Sequence, residues 1–194
     1  MKAIGATILA VLAAQALGAV AFVDSGVFNV AATDPHWGVT RAILEATRVR
    51  SIKAQASGVK PPANLADHKR VVAGTSHFAE HCSSCHSAPG VDVGEIAKGM
   101  YPPPPVLKDA ARQWSSGELF WIIRNGIKMS GMPAWPDHSD EDIWNIVAFL
   151  GQLPKITEQD YANLIKESLV AGGHQTHDGR STDCAPEHRA AGHC

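Results

Sequence analysis

The apolar positions of this chain change their spacing several times, and each change marks an element. From Ile4 to Val23 twenty residues carry no charge, and only Thr7 and Gln15 are clearly polar. As a helix such a run is about 30 Å long, the thickness of a bilayer core. Residues 1–23 are therefore read as an export segment. One form is an uncleaved membrane anchor with Lys2 on the inside. The other is a secretory signal cut at the small-x-small stretch Ala19-Val20-Ala21. The length favours the anchor, and both forms place the rest of the chain outside the cytoplasm.

Residues 24–65 form a second unit. Asp24-Ser25-Gly26 ends the apolar run, and Thr33-Asp34-Pro35 is a helix-start signal. From about His36 to Ala56 the apolar residues Val39, Ile43, Ala46, Val49 and Ile52 recur every three or four positions, which predicts an amphipathic helix. Its charges are Arg41, Arg48, Arg50 and Lys53 against Glu45. A basic face of this kind suits either anionic headgroups or packing against the same domain or a partner subunit. Lys60-Pro61-Pro62 then reads as a stiff linker.

Residues 66–154 read as one helical domain. The first helix is predicted from Asp67 to about Cys82, with Gly74, Phe78 and Cys82 four apart on one face. Ala88-Pro89-Gly90 turns the chain, and the four prolines between Met100 and Leu107 make an extended strap. A helix is expected from Ser116 to Asn125, stopped by Gly126. Another opens at Ser139, with Asp142 three residues on, and shows Ile143, Trp144, Ile146, Val147, Phe149 and Leu150 before Gly151 and Pro154. Thr157 caps a further helix over residues 155–171, with Tyr161, Ile165 and Leu169 at helical spacing. No strand period is present, so the fold class is all-α.

Composition narrows the function. The net charge of −2 gives no reason to expect a nucleic-acid partner. Residues 66–154 carry seven Lys/Arg against ten Asp/Glu, too few cations for a dense basic docking ring, so a strongly acidic partner surface is not expected.

The chemistry sits at Cys82-Ser83-Ser84-Cys85-His86. Two thiols three apart and an adjoining imidazole are what covalent haem attachment needs. Each thiol adds across a vinyl group, and the histidine becomes the proximal iron ligand. At this composition the pattern arises by chance on the order of a few times in a thousand such chains. A redox dithiol would sit in a strand–helix–strand unit, and a zinc site would need a second ligand pair nearby; neither is present. The expected cofactor is one covalent haem c. Its attachment chemistry places the domain at the bacterial inner membrane facing the periplasm, or soluble in the periplasm if the leader is cut.

The remaining axial position separates carrier from enzyme. Met129 and Met132 lie in the loop Ile127–Pro136, and Met132 is chosen because Gly131 permits an unusual backbone and Pro133 fixes one. A thioether ligand raises the reduction potential and closes the site to substrate. His77 and His81 are on the helix that enters the proximal side, and are read as packing or surface residues. Trp114, Trp121 and Trp135 are read as core filling.

These motifs together resemble a class I c-type cytochrome domain over residues 66–154. The carriers are Gly74-x-x-x-Phe78, the haem motif, Pro105-Val106-Leu107, Asn125-Gly126, Gly131-Met132-Pro133-Ala134-Trp135 and the closing Ile146-Val147-Ala148-Phe149-Leu150. The Gly-Met-Pro-Ala-Trp form is similar to the single-haem domains of membrane-associated dehydrogenase cytochrome subunits. The resemblance implies a one-electron carrier rather than an enzyme, with donor and acceptor proteins as partners and the membrane held through the N-terminal helix. It also implies that the carbonyl of Pro105 holds the His86 ring, with Pro104 as the alternative.

Beyond Ala171 the composition becomes rich in glycine. His174, His177, Cys184, His188, His193 and Cys194 are potential copper, zinc or nickel ligands without zinc-finger spacing. Residues 172–194 are read either as a metal-binding tract or as a flexible tail closed by a Cys184–Cys194 disulfide.

Overall fold

The structure, a computed structural model, describes residues 2–171. Their helices are α1 (Lys2–Asp24), α2 (Gly38–Gln55), α3 (His68–His81), α4 (Ser83–His86), α5 (Glu95–Lys98), α6 (Leu107–Gln113), α7 (Ser116–Asn125), α8 (Asp140–Gln152), a 3-10 turn at Leu153–Lys155 and α9 (Glu158–Val170). Among the described residues there is no strand, only a lone bridge between Ala88 and Val91. The all-α expectation holds.

The crossing of α3 and α8 builds the core. A Cβ on Gly74 would lie 1.8 Å from the carbonyl oxygen of Asn145, so the two backbones meet where only a hydrogen fits. One turn further along α3, Phe78 packs on Phe149 with ring centroids 4.8 Å apart. Both rings are fully buried, as is Ile143, and each such side chain contributes about 1.5–3 kcal/mol. Buried Arg70 ties the same helices together, donating to Asn145 Oδ1 at 3.0 Å and pairing with Glu141 at 2.9 Å.

Caps set the helix starts. Ser115, Ser139 and Thr157 each accept from the backbone amide three residues on, and Glu118, Asp142 and Asp160 return the bond to the cap residue's own amide. The end of α8 departs from expectation. It runs through Gly151 to Gln152 before the turn that carries Pro154. A single exposed glycine costs a helix about 1 kcal/mol, too little to stop one whose next residue, Leu153, is drawn into the core. The helices α5 and α6, four and seven residues long, have no counterpart in the sequence reading; neither spans enough turns to show a period.

The flanking helices are placed differently from each other. α9 lies against α3, with His68 Nε2 at 2.8 Å from Glu167 Oε1 and Tyr161 buried near Phe149. α2 packs by its C-terminal end. Ile52 and Ala56 are buried, and the following Val59 brings its carbonyl to within 2.5 Å of where a Cβ on Gly117 of α7 would lie. The other end of α2 leaves Val39 and Ile43 exposed. α1 is long and apolar enough to cross a membrane, and its window from Ala3 buries nothing against the protein. Between them Phe28 contacts Phe22 and Trp37, and the His36 amide donates to Tyr101 Oη at 3.0 Å.

Candidate haem site

Cys82 closes α3, its amide donating to the Phe78 carbonyl at 2.9 Å. The single turn of α4 then hangs from Cys82, whose carbonyl accepts from the amides of Cys85 at 3.1 Å and His86 at 2.9 Å. Two thiols and one imidazole thus share a turn held by the buried end of α3. Both cysteines are half-buried and reduced. Burial first, and then the neighbouring Cys85, pushes the Cys82 thiol up to about 12. It stays a neutral thiol at pH 7.

The His86 ring is oriented by the strap. Its Nδ1–H donates to the carbonyl oxygen of Pro105 at 2.9 Å, which assigns the proton to Nδ1 and leaves Nε2 with the lone pair. Pro105, not Pro104, makes this bond. Burial lowers the His86 pKa and outweighs the bond to Pro105, which raises it. The imidazole is therefore neutral at pH 7, as metal ligation requires. This donor set fits a covalent haem: two attachable thiols and an anchored, unprotonated ring nitrogen on one turn.

The loop of the methionines is fixed by its own backbone. Ile127 N donates to Met132 O at 3.2 Å, Ser130 Oγ donates to Ile127 O at 2.8 Å, and the Met132 amide donates to Ser130 Oγ at 3.2 Å. Arg124 donates to the carbonyls of Trp135 and His138 and pairs with Asp140, clasping the far end. Met132 is half-buried and packs against the core, whereas Met129 is 83% exposed at φ 58°.

Gly131 meets a neighbour that the sequence does not announce. The positive-φ residue of this loop is Met129, and Gly131 is not left-handed. A Cβ on Gly131 would instead lie 2.8 Å from Met100 Sδ. Met100 comes from the far side of the proline strap and braces the loop at the residue before Met132. No local pattern announces that contact.

Trp114 and Trp135 pack on the core. His77 and His81 face the segment before α8, where His138 joins them. The tail residues His174, His177, Cys184, His188, His193 and Cys194 lie outside the described residues.

A family model described as cytochrome c oxidase, cbb3-type, subunit III matches residues 69–150. No curated protein matches the chain. The matched span begins in α3, contains the haem motif, the strap and the methionine loop, and ends in α8. Over these residues the chain is a class I c-type cytochrome domain, a unit built to carry electrons rather than to transform a substrate.

Proposed function

We propose that this chain is a membrane-held, periplasmic one-electron carrier, with one haem c on Cys82 and Cys85, His86 as proximal ligand and Met132 as distal ligand. The observation that carries the reading is the bond from His86 Nδ1 to Pro105 O on the turn that presents both thiols. When bound, the haem supplies a ferric–ferrous couple whose potential a thioether ligand raises. The chain does the rest. Pro105 fixes the His86 tautomer, and burial keeps that ring neutral. Ser130, Arg124 and Met100 hold the methionine loop so that little rearranges when the charge at the site changes. α1 serves as the anchor, with its apolar side chains turned outward.

A second reading makes the same domain the cytochrome subunit of a membrane oxidoreductase complex. The matched family is described as an oxidase subunit, and the outer half of α2 keeps Val39 and Ile43 open to a partner. Intact mass of the mature protein tests the first reading: one haem added, residues 1–23 retained, and the haem absent from a Cys82→Ser/Cys85→Ser double variant. A mass without haem overturns it. A second polypeptide that stays bound through mild detergent extraction favours the complex.

A further inference from the structure

On the side of α3 facing the start of α8, three histidines from two segments meet outside the haem ligand set. We propose that His77, His81 and His138 form a binding site for a divalent cation that prefers imidazole, with zinc as the reference ion. One ring nitrogen from each of the three residues lies within 4.8 Å of the other two. Tetrahedral zinc with Zn–N bonds of about 2.0–2.1 Å holds its ligand nitrogens about 3.3 Å apart and the ring centroids about 5 Å apart. Here the centroids are 5.2 Å apart for His81–His138, 5.6 Å for His77–His138 and 6.3 Å for His77–His81.

The supporting structure resembles that of built metal sites. His77 and His81 are one turn apart on α3, the spacing that puts two imidazoles on one helix face. His138 arrives on a segment whose backbone Arg124 clasps at Trp135 and at His138 itself. Asp142, in the first turn of α8, sets Oδ1 3.4 Å from His77 Nε2. A carboxylate on one ring nitrogen fixes the tautomer and strengthens the other as a ligand. The Trp135 ring stands 5.1 Å from both His81 and His138 and screens one side from water. His77 is 4% exposed and the other two are half-buried, so the ligands are already largely desolvated. Three imidazole ligands leave one coordination position, and they favour zinc, copper or nickel over calcium or magnesium.

The test uses full-length holoprotein, stripped of metal by a chelator and equilibrated with zinc by dialysis, with bound zinc counted per haem. His138→Gln and His81→Gln are compared with the parent. The tail histidines and cysteines are common to all three proteins, so the difference isolates the cluster. The parent is expected to bind one equivalent more than either variant, or to bind it at least about tenfold more tightly. Zinc should raise the melting temperature of the parent and leave that of the variants unchanged, because only a native-state site shifts the folding equilibrium. An unchanged haem spectrum in the metal-free variants checks that they are folded. Equal stoichiometry and affinity in parent and variants, or a zinc-induced rise in melting temperature that survives both substitutions, overturns the site.

Discussion

A methyl group on Gly74 would sit 1.8 Å from a backbone carbonyl of α8, so the crossing of α3 and α8 tolerates no side chain at that position. Unlike a flexible side chain, the Asn145 carbonyl is fixed by its helix and by the Arg70 bond to the Asn145 side chain. Gly74→Ala is expected to destabilise the domain by about 3 kcal/mol or more, read as a lowered melting temperature of the holoprotein; a variant melting with the parent would contradict the crossing. This residue was legible in advance, because a glycine, an aromatic and a cysteine spaced by four name a helix face. Cys82, Cys85 and His86 were equally legible, since covalent chemistry fixes their spacing. Gly131 was singled out for its backbone freedom, and its packing against Met100 was not legible. Its neighbour Met100 lies far along the chain, and a packing contact of that kind leaves no local mark. His138 was missed for the same reason: it meets His77 and His81 only once α8 has docked on α3.

At the scale of elements, the strongest local signals were the caps. Ser139 with Asp142, and Thr157 as a cap, were readable; a hydroxyl and a carboxylate three apart close a hydrogen-bonded ring on their own, and the structure adds Asp160 as the partner of Thr157. The Thr157 hydroxyl, and then its amide, hold the Asp160 carboxyl below its ordinary value of 3.8. A carboxylate whose native pKa is depressed stabilises the fold fully above its unfolded value and loses that contribution as pH falls through the native one. The anchoring of α9 should therefore be constant above about pH 5 and weaken below 3.8. Asp160→Asn should remove that acid dependence, checked by hydrogen exchange of α9 amides across the range. If parent and variant keep the same acid profile, the cap does not hold α9. The elements that escaped the sequence were the short ones, α5 and α6, and the far end of α8. Their limits are set by what they pack against rather than by their own residues.

At the scale of the molecule, three pieces follow from one another. An apolar helix with exposed side chains, a basic helix packed by one end only, and a cytochrome c domain are the three parts of the membrane-held redox unit proposed above. Within it, both proposed axial ligands stand on tied backbone: His86 on a turn anchored on Cys82 and Pro105, and Met132 on a loop closed by Ser130 and clasped by Arg124. Spectroelectrochemical titration of the purified holoprotein and its Met132→Ala variant tests that arrangement most directly. The parent is expected to show a single one-electron transition and the long-wavelength absorption band of methionine-ligated ferric haem. In Met132→Ala the band should vanish and the midpoint potential should fall. A band and potential that survive Met132→Ala, but are lost in Met129→Ala, would contradict the account.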